Sequence, residues 1–236
     1  MIELDAMILA GGLGTRLQNV VSDRQKAVAE VTGKPFVFYL LEKLQRSGLQ
    51  KVILCLGYQA ESVQQSLTGF RQKLDMDFSL EQSPLGTGGA VRLALNRTRA
   101  RQVLILNGDS FLDADLIAFR QWKQQNDIQA AILLARVDNV ARYGQVKITD
   151  AGKILTFAEK GGSGSGLINA GIYLIDRELL TELPEKQFVS LEKDFFPELV
   201  RTGLLFGQVS SGAFIDIGTP ESYLQAQHFF SPESSS

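Results

Sequence analysis

The sequence predicts an α/β protein of the Rossmann-like, three-layer α/β/α kind, built on a mixed, mainly parallel central sheet. Three observations carry this. Apolar runs at 5–10, 51–56 and 103–106 alternate with helical stretches at 36–44, 59–67 and 113–125, the pattern of a parallel sheet between helices. The first run, Met7-Ile8-Leu9-Ala10, ends in Gly11-Gly12-Leu13-Gly14, and α/β folds bind ligands at such strand ends. The second half then turns strand-rich, at 130–135, 145–148, 154–159 and 167–175, with Asp150-Ala151-Gly152 as a hairpin turn.

Each element has a local reason. Gly33-Lys34-Pro35 punctuates the chain, and Phe36, Val37, Leu40, Leu41 and Leu44 then recur at helical spacing until Gly48. Val63 and Leu67 share a face of the second helix. A short strand, Phe78-Ser79-Leu80-Glu81, leads to Ser83-Pro84-Leu85-Gly86-Thr87-Gly88-Gly89, where Thr87 is placed to cap a helix over 90–95. Helices are expected at 176–182, 191–201 and 220–229, and strands at 204–209 and 213–217. Trp122 fits a helix packing position, and His228 a late helix position. The reading is one domain over 1–230, followed by a disordered tail, 231–236.

Composition narrows the function. The chain has 236 residues, 44% hydrophobic and 21% charged, with net charge −2, so it lacks the basic field of a nucleic-acid binder. No apolar run is long enough to span a bilayer, and Met1-Ile2-Glu3-Leu4-Asp5 lacks the basic start of a signal peptide. A cytoplasmic location is expected. The lone Cys55 lies inside an apolar run and reads as a buried thiol.

The glycine loop is neither of two common phosphate loops. A P-loop needs lysine and Ser/Thr after its last glycine, and here Thr15-Arg16 follows Gly14. The dinucleotide fingerprint needs a third Gly/Ala, and Leu17 stands there. What remains is a backbone cradle followed by Arg16 and Lys26, a set suited to displacement at an α-phosphate as pyrophosphate leaves. A plain glycine-rich turn is the alternative for this stretch alone. Asp109, after Asn107-Gly108, and Asp216 both sit at strand ends. Each alone reads as a capping or turn aspartate; together they can hold one Mg²⁺ on nucleotide phosphates.

These residues resemble the sugar-phosphate nucleotidyltransferases, or NDP-sugar pyrophosphorylases. Leu9-Ala10-Gly11-Gly12-Leu13-Gly14-Thr15-Arg16-Leu17, Lys26 and Gly33-Lys34-Pro35 match the family signature. Asn107-Gly108-Asp109, Glu159-Lys160, Asn169-Ala170-Gly171 and Asp216-Ile217-Gly218-Thr219-Pro220 match later segments in family order. The chain departs at Gln18–Ser22, and at Gln25, where the family has proline. Ser83–Ala90 is similar to the Pro-Leu-Gly-Thr-Ala-Gly stretch of mannose-1-phosphate guanylyltransferases. Length and the Pro35-Phe36 join look most like the bacterial D-glycero-α-D-manno-heptose 1-phosphate guanylyltransferases.

The resemblance implies a glycosyltransferase-A-like nucleotidyltransferase fold and nucleotidyl transfer from an NTP, GTP favoured, to a sugar 1-phosphate. Arg16 and Lys26 would be catalytic, and Asp109 and Asp216 would hold Mg²⁺. Leu9, Ala10, Gly11, Gly12, Gly14, Thr15, Glu81, Pro84, Gly86, Thr87 and Gly88 would bind the nucleotide. Gly108, Glu159, Lys160, Asn169 and Gly171 would bind the sugar phosphate. The loop 161–166 is either a lid over the sugar or a connector. Uridylyl, thymidylyl or mannose-1-phosphate guanylyl transfer stays open, as does a non-catalytic nucleotide-sugar-binding module. A glycosyltransferase would use Asp113-Ala114-Asp115, although helix capping explains that triplet better. Nucleic-acid and membrane partners are not expected, and a homo-oligomer is left open.

Overall fold

The computed structural model describes residues 3–12, 25–68, 70, 74–157 and 162–231. Strand β1 (Leu4–Ala10) occupies the middle of the main sheet. A small antiparallel pair, β2 (Glu30–Val31) and β3 (Lys34–Pro35), follows and feeds α1 (Phe36–Arg46). Thr32 and Gly33 turn that pair with φ of 48° and 75°, the left-handed backbone that tight two-residue hairpins use. Next come β4 (Lys51–Leu56), α2 (Ala60–Ser66), β5 (Asp75–Leu80), α3 (Gly86–Ala94), β6 (Gln102–Asn107), β7 (Ser110–Leu112) and α4 (Leu116–Gln125). The second half holds β8 (Ala130–Val137), β9 (Gln145–Ile148), β10 (Ile154–Phe157), β11 (Gly166–Asp176) and α5 (Arg177–Thr181). A π-helical turn (Leu191–Phe195) runs into α6 (Phe196–Arg201), and β12 (Leu205–Ser210), β13 (Phe214–Asp216) and α7 (Pro220–Phe229) close the chain.

The nine-stranded sheet runs β10-β9-β11-β6-β1-β4-β5, with β8 also on β11 and β12 on β8. Strands β5, β4, β1 and β6 form a parallel block. The 11-residue β11 joins it antiparallel and is long enough to pair with β6, β8 and β9. Because β8 and β9 oppose β11, and β12 runs with β8, seven of the nine strands point one way; β10 and β11 point the other.

Period-two alternation sorts the side chains into two cores. Ala6, Ile8 and Ala10, with Val52, Leu54, Leu56, Leu104 and Leu106, meet α1, α2, α4 and α7 on one face. Met7, Ile53, Cys55, Val103 and Ile105 meet α3, α5 and α6 on the other. Each fully buried aliphatic side chain contributes about 1.5–3 kcal/mol, so a one-residue slip of β1 would exchange the two faces at prohibitive cost. Burial pushes the Cys55 thiol up to about 12, which leaves it a packing group.

Most elements fall where the pattern puts them, with three shifts. Helix α3 starts at Gly86 rather than 90, and Thr87 lies inside it rather than capping it. Strand β5 runs Asp75–Leu80, so Glu81 stands just beyond its end. Helix α4 begins at Leu116, with the Asp115 carboxylate accepting from the N–H groups of Ile117 and Ala118; the triplet 113–115 supplies a helix cap. The hairpin at 150–152 joins β9 to β10. Trp122 stacks on Phe119 in α4. The last five residues of the expected disordered tail, 232–236, lie outside the described residues.

Candidate active site

The parallel block ends along one edge at Ala10, Leu56, Leu80 and Asn107. The glycine loop leaves from its centre. Glu81 folds back over it: a Cβ added to Gly11 would lie 2.7 Å from Glu81 Oε1, and one added to Gly57 would lie 2.6 Å away. Only glycines let the carboxylate settle between these two backbones. Its other oxygen accepts from the Leu85 N–H at 3.2 Å. Burial pushes the Glu81 carboxyl above the usual range, against the lowering effect of that N–H. The 84–89 segment is then locked from behind. Val189 donates its N–H to Leu85 O at 2.8 Å, and its carbonyl accepts from Gly88 N at 2.8 Å and Gly89 N at 3.2 Å. Pro84 stays exposed and Gly86 half-buried at the rim.

Gln25 is 3% exposed. Its side-chain amide donates to the carbonyls of Ala10 and, at 3.4 Å, Gly12, while Oε1 accepts from the Ala27 N–H at 2.7 Å. The side chain ties the start of the glycine loop to the 3₁₀ turn carrying Lys26. Its backbone, at φ −65° and ψ 139°, is one that proline also adopts. Gln25→Ala removes these buried bonds and is expected to cost about 2–3 kcal/mol, a drop of about 5 °C or more in Tm by calorimetry.

Lys26 Nζ reaches Asp109 Oδ2 at 2.5 Å, with the lysine side chain 12% and the aspartate side chain 46% exposed. Asp109 leads into β7, which pairs antiparallel with β13 so that Ser110 faces Asp216. The Ile217 N–H donates to Asp109 O at 2.9 Å and pins the two segments together. Asp216 is buried and densely served. Arg142 Nη2 donates to both carboxylate oxygens at 3.1 Å, and Gly218 N and Ser222 Oγ donate to Oδ1 at 2.6 and 3.0 Å. The Tyr143 hydroxyl donates to Oδ2. Burial acts to raise the Asp216 carboxyl, but these donors, Tyr143 foremost, hold it below the usual range. Burial, then the bond to Asp216, raises the Tyr143 phenol. Asp109 also acts on that phenol, so one hydroxyl feels both carboxylates.

The pair fits a magnesium ion carried by nucleotide phosphates. Asp109, in the turn before β7, and Asp216, at the end of β13, are two hard oxygen donors on paired segments, the number of protein carboxylates such an ion takes. Asp216 would be the fixed ligand, and the more exposed Asp109 the accessible one.

Beyond β6 lies a second polar cluster. Gly171 takes φ +76°, and a Cβ there would meet Ser110 Oγ at 2.7 Å and Asn107 Nδ2 at 2.8 Å, so the segment 169–171 presses directly on 107–110. Asn169 Oδ1 accepts from Gly171 N at 2.9 Å, and its Nδ2 donates to the Tyr173 hydroxyl at 3.0 Å. Gly108 packs against Leu9 O, where a Cβ would lie at 2.6 Å. Asn107 Oδ1 is buried with no hydrogen-bond partner among the described residues, an acceptor left open within this cluster.

Sequence reasoning missed Glu192. The π-helical turn, capped by Ser190, places its carboxylate between the two halves of the site. Oε2 accepts from Thr87 Oγ1 and Ser190 Oγ, both at 2.9 Å, and Oε1 accepts from Tyr173 at 3.4 Å. Thr87 Oγ1 accepts in turn from the Leu191 N–H at 2.8 Å. Burial and then the Glu192 charge keep the Tyr173 phenol protonated, so it acts as a donor. Glu192 thus bridges the 84–89 segment to Asn169. In sequence it reads only as an acidic residue in a first helical turn, and no local signal gives its partner 105 residues away. Glu192→Ala is expected to lower kcat/KM about 100-fold. A double-mutant cycle with Thr87→Ala is expected to give a coupling of about 1–2 kcal/mol.

Gly14, Thr15, Arg16, Glu159 and Lys160 lie outside the described residues, as do 18–24 and Gly161. The other sequence-derived positions converge on the one edge: Leu9, Ala10, Gly11, Gly12, Glu81 and 84–88 on one side of Lys26 and Asp109, and Gly108, Asn169, Gly171 and Asp216 on the other. A glycine-led loop, a lysine and Asp109 at the carboxyl ends of a parallel sheet, with Asp216 brought alongside by the β7–β13 pair, define an α/β enzyme handling nucleotide phosphates.

The comparisons with known proteins agree. The family described as "Nucleotidyl transferase" matches residues 5–232. The chain is 34% identical over 224 residues to D-glycero-alpha-D-manno-heptose 1-phosphate guanylyltransferase of Aneurinibacillus thermoaerophilus, covering 95% of this chain and 97% of the relative. A protein of the same description from Campylobacter jejuni is 32% identical over 220 residues, with 93% and 97% covered. The crystal structure of HddC from Yersinia pseudotuberculosis complexed with GMP-PN superposes with TM-score 0.87 at 36% identity, covering 98% of this chain and all of that one. The chain belongs to the nucleotidyl transferase family, and it is a sugar-1-phosphate nucleotidyltransferase. No helix among the described residues is long and apolar enough to cross a membrane.

Proposed function

We propose that this protein transfers GMP from GTP to D-glycero-α-D-manno-heptose 1-phosphate, giving GDP-heptose and pyrophosphate. The observation that carries the choice of base is Glu81. A carboxylate is an acceptor with no donor, and guanine offers it two donors, N1–H and N2–H₂, on one edge. Uracil and thymine offer a single N3–H there. The sugar rests on similarity to the heptose 1-phosphate guanylyltransferases.

The chemistry follows from charge. A phosphate oxygen of the sugar 1-phosphate attacks the α-phosphorus in line, the Pα–O bond to the β-phosphate breaks, and pyrophosphate leaves with the electron pair. The attacking phosphate is already ionised near neutral pH, so no general base is required. Backbone N–H groups of the glycine loop orient the triphosphate. Lys26 and Arg16 offset the charge that develops on the departing pyrophosphate. Lys160 and Glu159 hold the sugar phosphate and a sugar hydroxyl. Asp109 and Asp216 would hold Mg²⁺, which when bound would supply electrophilic screening of the phosphate oxygens. In the test, each nucleoside triphosphate is paired with a panel of sugar 1-phosphates and pyrophosphate is measured. Release confined to GTP with the manno-configured heptose phosphate is expected. Preference for UTP or dTTP would overturn the base, and preference for mannose 1-phosphate would overturn the sugar.

A further inference from the structure

Each carboxylate assigned to the metal already carries a cationic side chain. Lys26 lies on Asp109 at 2.5 Å, and Arg142 lies on both oxygens of Asp216 at 3.1 Å. The two ion pairs differ in burial. The Asp216 side chain is 12% exposed, whereas Arg142 is 43% exposed. The carboxylate is fixed from behind by Gly218, Ser222 and Tyr143, and the guanidinium sits at the mouth. Its polar contacts given above, and a further one to Ser222 Oγ at 3.2 Å, all run through Nη2. A guanidinium has five N–H donors in a planar fork, so this grip uses only part of its capacity.

A divalent cation arriving with the nucleotide places two positive charges on the same oxygens. Arg142 then becomes a like charge at contact range, and being partly exposed it can swing away at little cost in packing. Its place in the chain says where it goes. Arg142 lies between β8 and β9, in a segment tied through the Val140 N–H to Gly164 O at 3.0 Å, immediately ahead of β11 with Asn169–Gly171. Val140 also packs against Gly162 and Gly166, so the segment carrying Arg142 borders the stretch that leads into Asn169–Gly171.

We propose that Arg142 is a placeholder for the metal that becomes a substrate ligand: it balances Asp216 while the ion is absent, and once displaced it neutralises the phosphate of the incoming sugar 1-phosphate. Planar bidentate capture of phosphate is what a guanidinium does best. Metal binding would thereby complete the sugar-phosphate site, so that the metal–nucleotide complex binds first. This rests on the metal reading of Asp109 and Asp216.

The test separates the two ideas. Mn²⁺ binding to the substrate-free protein, followed by electron paramagnetic resonance, is compared among wild type, Asp216→Asn and Arg142→Gln. Asp216→Asn is expected to weaken binding, and Arg142→Gln to tighten it about tenfold. Arg142→Gln should also raise KM for the sugar phosphate about tenfold or more, with KM for GTP changed less than about threefold; Arg142→Lys, which keeps the charge, should hold wild-type Mn²⁺ affinity. In wild type, phenylglyoxal labelling of Arg142, read by peptide mass, should speed up when Mg²⁺ is added. If Asp216→Asn leaves Mn²⁺ binding unchanged, the metal reading falls and this inference with it. If it weakens binding but Arg142→Gln does not tighten it, the placeholder alone is overturned. Should the glutamine variant fail to fold, a labelling rate indifferent to Mg²⁺ overturns it equally.

Discussion

Asp109→Asn is expected to lower kcat about 10²–10³-fold while leaving the fold intact. The substitution removes a charge from the ion pair with Lys26 and from the metal pair, yet it keeps an oxygen that accepts from Lys26. The Asp109 side chain is 46% exposed, and pairs of that exposure contribute about 1 kcal/mol or less, so Tm should move by less than about 4 °C. The β7–β13 pairing and the Ile217 N–H to Asp109 O bond use backbone atoms and survive. Steady-state rates and calorimetry on the same preparation check both halves. A variant retaining more than a tenth of wild-type turnover would remove Asp109 from the chemistry.

The second large effect concerns the base. Glu81→Gln replaces an acceptor-only group by one that offers both a donor and an acceptor, so one of the two guanine donors meets an N–H. Loss of a bidentate base contact costs about 1–3 kcal/mol, and the preference for GTP over UTP in kcat/KM is expected to fall about 10–100-fold. pH gives an independent reading. The carboxylate binds guanine when ionised, and burial raises its pKa, so KM for GTP should rise as pH falls through a value above the ordinary glutamate range. The sign for stability is opposite. A carboxyl raised on folding favours the protonated native state, so its contribution is best below the unfolded pKa and declines as pH rises through the folded one. Glu81→Gln should therefore raise Tm at neutral pH while costing specificity, the usual trade at a functional site.

What was legible in the sequence follows from the range of the forces involved. Period-two runs such as Lys51–Leu56 are local statements about two buried faces, and the structure returns that strand with the same limits. Asp109 was legible because strand ends in a parallel sheet share an edge, but Asp216 does not come from that sheet: it ends β13, and the separate two-stranded β7–β13 pair brings it opposite Ser110. The start of α3 was not: its first N–H groups are satisfied by Val189 O, about a hundred residues on, so Gly86-Thr87-Gly88-Gly89 enters the helix without a local cap. The three-residue strands β7 and β13 have too few residues to show a period; they exist because they pair with each other. Gln25 looked like a departure because proline and glutamine share its backbone angles, and only the fold reveals the carbonyls it serves. Glu192 and Arg142 are ordinary charged residues until their partners arrive from distant strands.

The sugar-phosphate oxygen is expected to attack the α-phosphorus of GTP. Heptose 1-phosphate carrying ¹⁸O in its three non-bridging phosphate oxygens tests it directly, with products read by ³¹P NMR isotope shifts. The expected product is a GDP-heptose with ¹⁸O between its two phosphorus atoms, so that both resonances shift, alongside unlabelled pyrophosphate. Label in the pyrophosphate, or a nucleotide sugar with no labelled bridge, would rule out this attack.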